Sequence, residues 1–238
     1  MNRIFAFLIL GSLNYVSLGQ IQVVPSISFN SFTMRHMKEI QQDAQSQIPI
    51  QTRAVDEFPP FWGFGIDVHT QDDWGGMNVK LGGILQYTSS GGSANVADFS
   101  GHLKFDQLVN RLAIGPSVRF LQKNDKKNKL GTELNLLVSF SNLKISSEQK
   151  LFDAPSQVQS VKFNSISGQI QLSIVDRYEL SSDFFIQLKG GYELDVVSGK
   201  LLFKSDSDAW LLTPQGEEAR LDWSGLRFSI GIGYTFAR

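Results

Sequence analysis

The chain contains no cysteine. That excludes disulfide staples, thiolate metal sites, a cysteine nucleophile and the lipidated cysteine of a lipoprotein. Charge of one sign is also missing: 22 basic and 23 acidic residues leave a formal net charge of -1. Without surplus Lys or Arg to neutralise phosphates, there is no electrostatic case for nucleic acid. His36, His69 and His102 are scattered and make no metal-ligand cluster. Beyond the first residues there is no long apolar run, so no membrane-spanning helix is expected there. A mean hydropathy of -0.10 is too polar for a helical membrane protein. Yet 42% hydrophobic residues are too many for a disordered chain.

What is present begins with a leader pattern. Arg3 precedes the short apolar stretch Ile4–Leu13, and Ser17-Leu18-Gly19 sets small residues before Gln20. This reads as an export signal over residues 1–19. As a helix the stretch is too short to cross a bilayer, which takes about 20 apolar residues.

From Phe61 onward the pattern has period two. Trp62, Phe64, Ile66 and Val68 alternate with Gly63, Gly65, Asp67 and His69. The same alternation runs through Met77–Tyr87, Leu112–Phe120, Leu130–Phe140, Ile166–Ile174, Phe184–Val196 and Leu226–Phe236, with a weaker strand at Phe99–Phe105. Several of these runs reach ten residues or more, and a tilted membrane strand needs about 9–11. Their polar face is rich in glycine and carries both signs of charge, as the inside of a narrow barrel does. Aromatic residues mark the strand ends at Phe61, Trp62, Tyr87, Phe120, Tyr178, Tyr234 and Phe236, as an interfacial girdle would. The fold class expected is therefore all-β: an antiparallel up-and-down transmembrane β-barrel, rather than a secreted sandwich or lipocalin-like barrel.

The runs give eight strands, an even number that leaves both ends in the periplasm. The loop lengths fit in the second half, where Lys123–Lys129 and Asp176–Asp183 are short while Ser146–Gln157 and Ser198–Arg220 are long. In the first half they conflict. The long Ser89–Asp98 link falls on the periplasmic side and the short Gln107–Asn110 link falls outside. A further strand at Ile21–Phe29 would relieve the conflict, which makes ten strands the alternative count.

The closing stretch Leu226–Phe236 (LRFSIGIGYTF), with the repeat Trp62-Gly-Phe-Gly and the Gly/Ser-rich Tyr87–Asp98 segment, resembles small bacterial outer-membrane barrels. Those are the OmpX type, or the outer membrane protein beta-barrel domains common in the Bacteroidota. The resemblance covers Phe61 to Arg238. It implies the outer membrane of a Gram-negative envelope, and contact with its lipid and lipopolysaccharide. It also implies assembly by the barrel-insertion machinery, which in that family reads an aromatic-ended last strand. Here Ala237 and Arg238 follow the aromatic.

Between leader and barrel, residues 20–60 read as an N-terminal periplasmic extension. A helix is expected over Thr33–Gln47, with Met34, Met37, Ile40 and Ala44 on one stripe, and Pro59-Pro60 ends the segment. It would serve as a tether packed on the barrel rim, or else as a plug or a docking helix for an envelope partner. The expected organisation is thus leader 1–19, extension 20–60 and barrel 61–238.

One pair of residues suggests chemistry. Ser100 and His102 share a strand face opposite Phe99, Leu103 and Phe105, as in barrel enzymes that trim lipid A. The sequence supplies no specific carboxylate orienter or oxyanion donor, and this parity points the pair inward. No catalytic, cofactor or metal residues are therefore assigned. The inward charges Asp67, Lys80, Lys104, Arg119, Glu133, Lys189, Glu193, Asp195 and Arg227 carry both signs and read as a paired network filling the barrel. The function expected is a non-enzymatic outer-membrane barrel, a structural or interaction component of the envelope. The alternatives are a lipid-modifying Ser/His hydrolase and a soluble secreted barrel that binds a small ligand.

Overall fold

The computed structural model describes residues 20–46, 53–74, 77–98, 101–123, 127–151, 155–206 and 208–236. The leader assigned to residues 1–19 and Ser100 lie outside the described residues. In chain order the elements are β1 (Ile21–Asn30), α1 (Arg35–Ser46), β2 (Arg53–Glu57), β3 (Phe61–Trp74), β4 (Met77–Asp98) and β5 (Gly101–Lys123). They continue with β6 (Asn128–Leu151), β7 (Gln157–Glu179), β8 (Phe184–Val197), β9 (Leu202–Phe203) and β10 (Gly225–Phe236).

Eight of the strands close a ring in the order β1-β3-β4-β5-β6-β7-β8-β10 and back to β1, every pair antiparallel. Closure removes the free edges that an open sheet would expose. The count of eight stands, but its members differ from the sequence expectation. Ile21–Asn30 is a barrel strand, paired with Phe61–Thr70 on one side and with Arg227–Phe236 on the other. The runs at Phe99–Phe105 and Leu112–Phe120 do not form two strands, since Gly101–Lys123 is the one strand β5. Ser89–Asp98 is the end of β4 rather than a link. The conflict over loop lengths disappears with this correction. At one end of the ring lie Gln20, Phe236 and the short β3–β4, β5–β6 and β7–β8 connections. The long β1–β3 and β8–β10 connections lie at the other end, together with the β4–β5 and β6–β7 hairpins. Short turns face the periplasm and long loops the exterior.

The segment 20–60 is therefore no separate periplasmic extension. Its first part closes the barrel, and its helix sits at the mouth opposite Gln20 and Phe236.

Outward side chains form a lipid belt. Phe64, Ile66, Ile114, Leu136, Leu172 and Phe228 are among the large apolar residues that stand exposed on the outer face. No helix among the described residues is long and apolar enough to cross a membrane, and the crossing is made by strands. The upper edge of the belt follows the strand register. Tyr87, Leu112, Phe140 and Ile166 stand in one row across β4–β7, and the next row outward is Ser89, Asn110, Asn142 and Asn164.

Beyond this boundary the strands continue as a projecting sheet. From Asn142 to the end of β6 at Leu151 the chain runs roughly 30 Å further. β2 adds to β4 at one edge of the projection and β9 adds to β7 at the other. Here the polarity of the faces swaps. In β6 the outer residues change from Leu136, Val138 and Phe140 to Asn142, Lys144 and Ser146. Its inner residues change from Ser139 and Ser141 to Leu143 and Ile145. Inside the membrane the outer face meets lipid, whereas above it that face meets water and the inner face meets protein.

Close approach leaves no room for a Cβ at several glycines, two of which bear on the lumen and its mouth. A Cβ on Gly233 would run into the Phe185 ring, which fills the lumen near the periplasmic end. The Arg177 guanidinium stacks on that ring at 3.6 Å. Gly233→Val should therefore displace Phe185 and cost about 1–3 kcal/mol by overpacking. Urea unfolding in detergent would measure it, and an unchanged midpoint would show that the ring moves freely. A Cβ on Gly92 would collide with Gln41 Oε1, so Gly92 lets the helix seat against β4.

Candidate functional site: the filled lumen and its mouth

Inward positions of alternate strands meet at the barrel axis, and an eight-stranded ring is just wide enough for side chains to fill it. Arg119 of β5 is the hub. Its Nε donates to Glu133 Oε2 of β6 at 2.7 Å, and its guanidinium also donates to Gln187 Oε1 of β8 at 2.6 Å. A third contact reaches Asp67 of β3 at 3.3 Å. Lys189 of β8 donates to Asp67 at 2.6 Å and to Glu133 at 3.1 Å. Two anions thus face two cations, all buried. His69 adds a 3.0 Å contact to Ser117 beside them. Mutual pairing with full hydrogen bonding is what makes buried charge tolerable.

A second tier lies toward the mouth. Glu193 accepts from Arg111 at 2.5 Å and from Arg227 at 3.1 Å. On the periplasmic side, Lys80 and Arg177 both donate to Gln22 Oε1, at 2.5 and 2.7 Å. Above the polar tiers the filling becomes apolar. Phe32, Met34 and Met37 from the β1–β3 connection join Phe58, Val109, Leu143, Phe163, Leu201, Leu221 and Trp223 in one buried cluster. The stripe expected for the helix is the one that packs. Met37 and, just before the helix, Met34 are wholly buried, and Ile40 lies against the cluster. Gln41, one turn after Met37 on the same face, is buried as well and donates to the Ser93 carbonyl of β4 at 3.2 Å. Backbone bonds from Thr33 to Ser224 and from Met34 to Asp222 tie the two long connections together. His36 accepts from the Arg220 backbone N–H at 3.0 Å. Met34 and Phe58 hold positive φ angles of 45° and 51°. Burial in the cluster compensates that strain. The helix is a mouth plug.

Of the nine charges placed inside by the sequence pattern, eight line the lumen. Asp195 does so between Gln169 and the Trp223 backbone N–H. Lys104 is the exception: it lies on the outer face of the projecting sheet, paired with Asp106 at 2.7 Å. His102 is corrected in the same way. Unbroken alternation from Arg111 and Val109 puts it outside, where it lies 3.6 Å from Glu148. The inward assignment fails because Leu103 and Phe105 do not face lipid: they lie on the inner face of the projecting sheet, the same face as Val109. His102 stands beyond Asn110 by about 25 Å along the strand, well outside the lipid boundary. No group of His, Asp or Glu that would hold a metal occurs among the described residues. The pattern missed Arg111 and Arg177, because one lay beside an apparent turn and the other in an apparent periplasmic link.

A closed ring of eight strands with a lipid belt outside and paired charge inside defines a class: a small transmembrane β-barrel, whose place is the outer membrane. A solved structure shares that fold. A major outer membrane protein from Thermus thermophilus matches with a TM-score of 0.53 and 9% identity, over 92% of this chain and 100% of the other. OprG from Pseudomonas aeruginosa matches with 0.44 and 13% identity, over 92% and 97%. The Yersinia pestis attachment invasion locus protein Ail matches with 0.35 and 12% identity, over 91% and 97%. No protein-family model and no curated protein matches the sequence.

Proposed function

We propose that this is a closed, non-enzymatic component of the outer membrane whose projecting sheet is its interaction surface. One observation carries the reading: the lumen is filled across its section by the Arg119–Glu133–Asp67–Lys189 network and sealed above by the Met34–Trp223 cluster. Side chains packed in this way across the axis oppose an open path for solutes. Strands β5–β7, at 23 to 24 residues each, are much longer than the about 9–11 residues that a membrane crossing needs, and the surplus lies beyond Asn110, Asn142 and Asn164. Its outer face, with His102, Lys104, Asp106, Lys144 and Glu148, is polar and open to the exterior.

In planar bilayers the full chain is expected to give no stepwise conductance. Discrete ohmic steps from the unmodified protein would refute the closed-lumen reading. Lipid A profiles from cells with and without the protein should be identical by mass spectrometry, and a changed profile would revive the hydrolase alternative.

A further inference from the structure

Just outside the lipid belt, three lysines stand side by side. Lys144 of β6 lies directly opposite Lys162 of β7. The Lys162 carbonyl accepts from the Lys204 backbone N–H at 2.9 Å, which sets Lys204 next in the same row. All three are exposed. Because the backbone groups of Lys162 turn toward Lys204, its pairing with Lys144 is of the non-hydrogen-bonded kind. In such pairs the side chains come closest, with Cα atoms about 4.5 Å apart. Like charges directly opposite destabilise a sheet. Neighbouring cations answer this with carboxylates: Lys104 has Asp106 and Lys200 has Glu218. Among the described residues no carboxylate forms an ion pair with Lys144, Lys162 or Lys204.

The position of the row names its occupant. Asn142 and Asn164 lie one row closer to the membrane, and Phe140 and Ile166 begin the apolar belt one row below them. A lysine stem lying along the strand returns its ammonium to the headgroup layer at that height. We propose that Lys144, Lys162 and Lys204 form a seat for the phosphate of an outer-leaflet lipid headgroup. Asn142 and Asn164 hydrogen-bond the same headgroup, and its acyl chains lie on Phe140 and Ile166. A phosphate among three ammonium groups converts their repulsion into attraction. The site does not depend on the projecting sheet meeting a protein partner.

The test uses the full chain in phosphatidylcholine vesicles doped with bisphosphorylated lipid A or with the dephosphorylated form. Lipid retained after gentle extraction is read by native mass spectrometry. The unmodified protein should retain the phosphorylated lipid. Retention should fall about fivefold for each lysine replaced in Lys144→Gln, Lys162→Gln and Lys204→Gln. Lys127→Gln, at the opposite end, should retain it fully. The dephosphorylated lipid should be held weakly by all of these proteins, and free inorganic phosphate should not displace the phosphorylated one. Equal retention by the unmodified protein and the triple variant would overturn the site, and so would displacement by free phosphate. A heat-modifiable band on a gel verifies that each variant is folded. If the triple variant does not fold, Lys162→Gln alone must show the fivefold loss.

Discussion

Glu133→Ala is expected to lower the stability of the folded barrel by about 3–5 kcal/mol, the usual cost of removing one partner from a buried ion pair. Glu133 accepts from Arg119, Lys189 and Asn135, and Asp67 is the other carboxylate that these two cations share. Its loss leaves two buried cations against one carboxylate inside a packed lumen. Urea unfolding in detergent, followed by the heat-modifiable band, measures the effect. Glu133→Ala combined with Lys189→Met removes one charge of each sign and should recover part of the loss. Coupling of that kind between contacting residues is typically about 0.5–3 kcal/mol. Additive losses, with no recovery in the double variant, would show that the charges do not act as a unit.

Trp223→Ala should be comparably costly but should fail in a different place. Trp223 is wholly buried, packs edge-on against Phe32 at 5.3 Å and carries Arg111 over its face at 5.3 Å. Its indole N–H donates to Ser141 Oγ at 3.0 Å. Large-to-small loss of such a side chain costs about 3–5 kcal/mol. The ring of strands is closed by its own backbone pairing, so the damage should concentrate at the mouth. Limited proteolysis should cut the 31–60 and 198–224 connections in the variant while the barrel band stays heat-modifiable. Cleavage no faster than in the unmodified protein would mean that Trp223 does not hold the plug. Trp223→Phe keeps much of the volume but strands the Ser141 hydroxyl, and an intermediate loss is expected.

The lumen was legible residue by residue wherever one phase of alternation held. Asp67, Arg119, Glu133 and Lys189 follow directly from period two, because successive side chains in a strand face opposite ways. Arg111 and His102 were lost at the point where hydrophobicity changed phase without any change in the chain. At Leu108-Val109-Asn110 the apolar positions move from the outer face to the inner one. Along the sequence that shift looks like a break or a turn. The strand simply leaves lipid for water.

A closed lipid-facing antiparallel barrel with paired charges inside was legible in the sequence alone, though not its strand count. Strand alternation and strand length are local properties, and lipid imposes one polarity on the outer face. Only the tertiary structure decided which segments make up the eight, since Ile21–Asn30 shows its role only once it closes β3 against β10. The same is true of the plug. Met34 and Met37 mark an amphipathic helix in any sequence reading, but which end of the barrel it closes depends on which strands flank it. The lysine row is also tertiary: Lys144, Lys162 and Lys204 are far apart in the chain and meet only through strand register.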